Sequence, residues 1–250
     1  MSTTSAPRSA VLDAIAEPDL TRLLDRSVPR RMAAGDTLAF AGETTGRMHL
    51  VTAGVLKLVG RDMEGNETIL GLCVTGDVTE SIPALDGGAQ PYDYVAATDC
   101  TLVGFDGLMF AEVLSRNPIA CMEMARALAA RIRWLCDTAQ ERTSSYVPAR
   151  LAGRLLDLAD LLGRPRGTEI DVELPFPQRD LGGLAGMCRE SACKTLRRWK
   201  AQGMVDYRGR KLRILRPDAL YRVRCAGRAA EPFPSTGEGA RRRSRSTGGT

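Results

Sequence analysis

Gln178-Arg-Asp-Leu-Gly-Gly-Leu-Ala-Gly-Met-Cys-Arg-Glu-Ser-Ala-Cys-Lys-Thr-Leu-Arg-Arg-Trp-Lys-Ala-Gln-Gly-Met-Val-Asp-Tyr207, running on to Leu215, is the stretch whose reading decides the fold. Residues 178–185 read as a short helix with Leu181, Leu184 and Ala185 on one face. Gly186 supplies the turn, since glycine takes a positive φ without steric cost. A second helix spans about residues 189–200, where Ala192, Thr195, Leu196 and Trp199 share a buried stripe at three- and four-residue spacing. Glu190, Cys193, Lys194 and Arg197 fall on the opposite face, and Arg189 stands at the exposed start. Residues 204–207 and 211–215 are strand-like around a turn at Arg208-Gly209, with Leu212 and Ile214 alternating with Lys211 and Arg213. A solvated amphipathic helix shows the same charge pattern, so the helix alone says little. The glycine turn, the short first helix and the basic hairpin together specify a winged helix-turn-helix, which lays its second helix in the DNA major groove.

The charge balance agrees. The 250 residues carry a formal net charge of +5, but unevenly. Residues 1–145 hold 13 Lys and Arg against 19 Asp and Glu, a net of −6. Residues 146–250 hold 22 against 11, a net of +11. The basic half carries the footprint of a phosphate-backbone binder, with double-stranded DNA as the expected partner, and the acidic half does not. Arg208, Arg210, Lys211 and Arg213 of the wing, with Arg197 of the second helix, are the candidate phosphate contacts. Arg189 has the planar fork that matches the O6 and N7 acceptors of guanine, and Glu190 can accept from the N4 amino group of cytosine. No run of about 18 apolar residues is present and the N-terminus lacks a basic-plus-apolar leader, so we expect a cytoplasmic protein with no membrane partner. Seven cysteines stand at 73, 100, 121, 136, 188, 193 and 225, without a CxxC pair, and His49 is the only histidine. That pattern argues against a metal site and a catalytic constellation, and favours thiols packed as small hydrophobes.

Working outward, residues 1–9 are small and polar and read as a flexible start, and residues 11–24 as a helix. Residues 31–105 break into short strands separated by glycine turns: Gly42, Gly54, Glu64-Gly-Asn66 and Gly76-Asp77. That spacing indicates a small antiparallel roll, placed within a sensor domain over residues 10–115. A helix over about 118–140 then carries Cys121, Ala125, Leu128, Ile132, Leu135 and Ala139 at spacings of 4, 3, 4, 3 and 4. Such a heptad stripe is either the core side of a helix or a seam between two copies. Its place before a DNA reader favours a homodimer seam, in a dimerisation helix at residues 116–143. Ser144, Ser145 and Pro148 mark a hinge, and the reader domain is set at residues 144–224. Within it we expect a helix at 149–162, a loop at 163–167 and a strand at 170–174. The tail, residues 225–250, is rich in Gly, Ser, Pro and Arg and reads as disordered and basic. The fold class is α+β.

Roll, long helix and winged reader, in that order, resemble the cyclic-AMP receptor/fumarate-nitrate regulator (Crp/Fnr) family of bacterial transcription factors over about residues 20–218. The most specific pieces are Gly54, the Gly76-Asp77 turn, and Gly186 followed by Arg189-Glu190. The resemblance implies that Arg189, Glu190 and Lys194 read bases, on an inverted pair of half-sites related to TGTGA. It also implies RNA polymerase as a partner. Lys194 replaces the family's second arginine and lacks its bidentate fork, so its position should be read more loosely. Cys188 replaces a helix-capping serine and is a poorer cap.

The sensor is the thinner part of the reading. Cyclic-nucleotide members place an Arg-Ser pair where Pro91 and Tyr92 stand, and no Lys or Arg occurs between Arg61 and Arg116. Asp77, Glu80, Asp86 and Asp93 make the segment anionic. A buried phosphate without a basic partner is costly, so we expect no cyclic-nucleotide cofactor, and the effector is left open. His49 and Cys73 are possible haem ligands by chemistry, but each sits in an apolar strand and reads as core. Cys188, beside Arg189 at a helix start, is either a redox thiol or an inert stand-in for a cap. The acidic segment is also compatible with a solvated rim that binds nothing. Two rival functions stay in view: a small-molecule signalling module whose reader is secondary, and a sequence-independent DNA binder. The first lacks an intact nucleotide cassette. The second is disfavoured by Glu190, since a carboxylate facing phosphates is unfavourable unless it reads a base.

Overall fold

The computed structural model describes residues 9–44, 46–61, 63–64, 67–143 and 146–228. Two short helices come first, α1 (Ala10–Asp13) and α2 (Glu17–Asp25). The single helix expected over residues 11–24 is broken because Pro18 has no N–H to donate and suits only a first turn. Ser9, assigned to a flexible start, is buried, while residues 1–8 lie outside the described residues.

Eight strands follow: β1 (Val28–Met32), β2 (Thr37–Ala39), β3 (Arg47–Ala53), β4 (Leu56–Arg61), β5 (Glu67–Cys73), β6 (Val78–Thr79), β7 (Asp93–Ala96) and β8 (Cys100–Asp106). They form two antiparallel sheets in the orders β1-β8-β3-β6 and β2-β7-β4-β5. Both sheets contribute to one core: Met32, Val51 and Leu102 from the first, and Leu56, Leu58 and Tyr94 from the second. Full burial of each such side chain contributes about 1.5–3 kcal/mol. Gly54 turns β3 into β4 at φ 92°, where a Cβ would stand 2.3 Å from the Asp99 carbonyl oxygen. No other residue fits there. The expected turn at Glu64-Gly-Asn66 falls partly outside the described residues, but β4 and β5 pair antiparallel across it.

Two helices in and after the roll were not anticipated: α3 (Ser81–Asp86), in the sensor segment, and α4 (Gly107–Arg116). Asp106 caps α4 by accepting from the Met109 N–H at 2.8 Å. The long helix α5 (Pro118–Thr143) follows. Asn117 pins its start to the N-terminal helices, accepting from Ala16 N at 2.9 Å and donating to Asp19 at 2.7 Å.

The second module contains α6 (Val147–Leu162), β9 (Gly163–Arg166), β10 (Glu169–Glu173), a 3-10 turn (Gln178–Asp180), α7 (Leu181–Leu184), α8 (Arg189–Ala201), β11 (Val205–Arg208), β12 (Lys211–Ile214) and α9 (Pro217–Arg228). Residues 163–166, expected to be loop, are a strand hydrogen-bonded to β10 in a sheet ordered β11-β12-β10-β9. Pro148, expected in a hinge, sits in the first turn of α6. Ser144 and Ser145 lie outside the described residues. Residues 225–228, assigned to the expected disordered tail, instead complete α9; the rest of that tail, residues 229–250, lies outside the described residues.

The module's core gathers Leu151, Leu155, Leu181, Leu196, Trp199 and Ile214, and it also takes in Ile69 from β5 of the roll. A polar network ties the module to α5. Arg154, 2% exposed, reaches Glu141 at 2.5 Å, Thr138 at 2.9 Å and Asp157 at 3.0 Å. Arg224 of α9 joins the same two carboxylates at 3.0 and 3.2 Å. Trp134 donates to Asp157 at 3.1 Å and lies 5.0 Å beneath the Arg154 guanidinium.

Candidate nucleic-acid interface

The 3-10 turn and α7 form the short first helix read from the sequence, and Gly186 turns the chain at φ 60°. Gly182 lets α7 approach the start of α8: a Cβ there would stand 3.0 Å from the Met187 carbonyl oxygen. Ala192, Leu196 and Trp199 of α8 are buried, as their spacing required, and Thr195 is half-buried with its hydroxyl on the Ser191 carbonyl at 2.8 Å. Arg189, Glu190, Lys194 and Arg197 are exposed, and Cys193 is half-buried between them. The four exposed charges make no ion pair among the described residues. The helix thus presents donors and one acceptor outward, with a buried stripe fixing its rotation.

Cys188 stands at the N-cap with extended backbone and no side-chain cap to the helix. Its sulfur is 3.1 Å from the Ser191 hydroxyl, and that contact holds the thiol pKa below its ordinary value.

The wing divides its cations. Arg208, Arg210 and Lys211 are exposed around the Gly209 turn. Arg213, placed with them on sequence, is engaged within the sheet: its Nε donates to Asp171 at 2.6 Å and lies 3.8 Å from Glu169. The pairing lowers the Asp171 pKa and raises that of Arg213. Lys200, near the end of α8, spans to the wing, 2.6 Å from Asp206 and 4.9 Å from the Tyr207 ring centroid. Lys200 was not singled out on sequence, although a lysine seven residues before a tyrosine across a turn was a usable signal.

The heptad stripe of α5 is also divided. Cys121, Ala125, Ile132, Leu135 and Ala139 are exposed, Ile132 by 60%. Leu128 instead packs half-buried against the cluster that joins α1, α4 and the roll. Met122 and Cys136, which the heptad stripe does not include, are exposed on the same side as Ala125 and Ile132.

In the roll, the anionic segment is rearranged by pairing. Glu80 turns inward to the only histidine, with Nδ1 of His49 at 2.5 Å, and takes a left-handed backbone at φ 57° to do so. Asp93 is buried on Arg61 and on the Ala41 N–H. Asp77 accepts from Val74 N at 2.8 Å, and Asp86 is exposed. No cation stands between Arg61 and Arg116 in sequence, but α5 brings Arg131 to this part of the roll. Arg131 lies over Tyr92, 5.5 Å from the ring centroid. Tyr92 and Tyr94 meet edge to face at 5.4 Å, and burial raises both phenol pKa values. Burial likewise pushes the Cys73 thiol up to about 12. Arg131 follows Met124 by seven residues, so helical spacing was the signal that pointed it inward. Among the described residues no group of three or more His, Cys, Asp or Glu is arranged to hold a metal ion, and no helix is long and apolar enough to cross a membrane.

Comparison with known proteins follows this division. Residues 149–223 match the Crp-like helix-turn-helix domain, and residues 29–117 match the cyclic nucleotide-binding domain. The CRP-like cAMP-activated global transcriptional regulator of Mycobacterium tuberculosis is 23% identical over 215 residues, covering 86% of this chain and 96% of the relative. Among solved structures, a CRP-family transcriptional regulator from Thermus thermophilus superposes with a TM-score of 0.64 at 25% identity, over 78% of this chain and 96% of that one. FixK2 from Bradyrhizobium japonicum shares the fold with a TM-score of 0.69 at 16% identity, over 79% of this chain and 96% of its own. With a roll of the cyclic nucleotide-binding type, a long helix and a Crp-like helix-turn-helix in one chain, the protein belongs to the Crp/Fnr family of DNA-binding transcription regulators.

Proposed function

We propose that the protein acts as a homodimer on an inverted repeat, reading each half-site with Arg189, Glu190 and Lys194, and that cyclic nucleotides do not control it. The observation that carries the DNA reading is the outward face of α8, where these three residues are exposed and free of ion pairs among the described residues, on a helix whose other side is locked into the core. Arg189 takes guanine, Glu190 takes cytosine, and Lys194 takes a neighbouring base or phosphate. Arg197, Arg208, Arg210 and Lys211 supply phosphate contacts that position the helix. The exposed apolar side of α5 (Met122, Ala125, Ile132, Cys136, Ala139) supports pairing with a second copy, which matches two readers to a two-fold site. RNA polymerase is the partner expected of such a regulator.

Two features support independence from cyclic nucleotides. Pro91 and Tyr92 occupy the place where the family's Arg-Ser pair is expected, and the Tyr92 ring already carries Arg131. Glu80 is committed to His49. Calorimetry with cyclic AMP and cyclic GMP should give no affinity at micromolar concentration, and saturable binding in that range refutes this part. Selection of binding sites from a random DNA pool tests the rest. The expected motif is a two-fold repeat of a TGTGA-like half-site; an asymmetric motif, or one unchanged by Arg189→Ala and Glu190→Ala, refutes the reading.

A further inference from the structure

Arg131 presents a physical problem. Its guanidinium is half-withdrawn from water, yet no carboxylate lies within ion-pair distance among the described residues. A charge in that position is costly unless something pairs with it. Tyr92 supplies a ring face, Cys73 accepts a hydrogen bond through a thiol that burial keeps protonated, and Asp77 acts on the guanidinium only from beyond ion-pair distance.

Arg131 lines two clefts. One, of about 410 Å³, lies on the roll side, where Asp77 and the Glu123–Arg126 ion pair share a wall with few large apolar side chains. The other, of about 400 Å³, lies between β5, α5 and the α6–α7 pair. Its walls are Leu72, Trp134, Leu158, Leu161 and Leu184, with Arg131 among them. Arg154 and Asp157 also border it, but they pair with each other and with Glu141 and Arg224. Asp160 is solvent-exposed, so water and salt screen it. Small-molecule sites have this character: roughly 300–1,000 Å³, mostly apolar, with one or a few polar groups that orient the ligand.

We propose that the cleft between β5, α5 and α6–α7 binds a small aromatic carboxylate, with its ring among the leucines and Trp134 and its carboxylate on Arg131. A fork of N–H donors matches a carboxylate better than it matches any neutral group. The ligand would touch the roll through Leu72, the long helix through Trp134 and the reader through Leu158 and Leu184. It therefore holds the reader against the roll in the arrangement described above. Its effect on DNA affinity rests on the function proposed for α8; the binding itself does not.

Calorimetric titration of the full chain with 1-naphthoate is the test, with 1-naphthalenemethanol as the uncharged control. We expect one submillimolar site per chain for the carboxylate and at least tenfold weaker binding of the alcohol. Arg131→Gln should weaken naphthoate at least tenfold. Leu161→Glu, at a partly exposed wall position, should abolish binding without unfolding the protein, and it decides the matter if Arg131→Gln does not fold. Equal affinity for acid and alcohol, no saturable heat, or unchanged binding in folded Arg131→Gln overturns the proposal. Loss in Arg131→Gln with full retention in Leu161→Glu overturns it too, by moving the anion to the roll-side cleft. A protein that binds naphthoate as expected but selects no two-fold DNA motif sinks the DNA reading and leaves the cleft standing.

Discussion

The outward face of α8 and the interior of the roll contain the same kinds of charged residue and use them in opposite ways. On α8, Arg189, Glu190, Lys194 and Arg197 are exposed and unpaired among the described residues. In the roll, Glu80 is closed on His49 and Asp93 on Arg61. A charge kept for a partner stays in water until the partner arrives. A charge that holds shape must find its counterpart within the chain, because desolvation without one is expensive. Counting charges along a segment does not separate these roles; their partners do.

The strongest test of the contrast lies where the second module carries buried charge of its own. Glu141→Leu leaves Arg154 and Arg224 around Asp157 alone, and it should cost about 3–5 kcal/mol in urea unfolding. The double change with Arg154→Met should recover much of that. A single-variant loss below about 1 kcal/mol means the network does not behave as a buried one. Next in size is the divided stripe of α5. Leu128→Glu puts a charge against the chain's own core and should lower stability by about 2 kcal/mol. Ile132→Glu, on the exposed side, should leave stability unchanged and shift sedimentation to monomer. If both changes act alike, the two sides of α5 are not distinct.

On α8 itself, Arg189→Ala should cost about 1–3 kcal/mol at its guanine, read by fluorescence anisotropy against half-site variants. A loss spread evenly over all sequences makes Arg189 a phosphate contact instead. The smallest effect sharpens the comparison inside the wing. Arg210→Ala should reduce the salt slope of DNA binding by about one unit and leave sequence preference alone. Arg213→Ala should reduce the slope less, because Asp171 already holds that charge. Equal slopes for the two variants show that Arg213 leaves Asp171 when DNA binds.

What was legible in the sequence was what depends on near neighbours. The buried stripe of α8, the Gly186 turn, the alternation of β12 and the glycine-bounded strands of the roll all rest on spacings of a few residues, and these elements stand where their patterns put them. What was missed depends on distant segments. The sequence Gly163-Arg-Pro-Arg166 reads as a loop by composition and becomes a strand only because β10 offers a ladder edge. Leu128 fits the heptad, but a cluster from α1 and α4 claims it first. Arg131 enters the sensor from outside the segment searched for cations, and Arg213 is withdrawn by an aspartate 42 residues earlier.

Ile69 and Leu72 of β5 pack with the reader's core, whereas Leu70 and Cys73 of the same strand pack with the roll's. One strand is therefore shared between the two cores. The two modules share material, so they should melt as one cooperative unit, and a fragment cut at the start of α6 would carry a raw apolar patch where β5 had been. The boundary drawn between sensor and reader marks a division of labour along the chain, but it is not a seam along which the molecule comes apart.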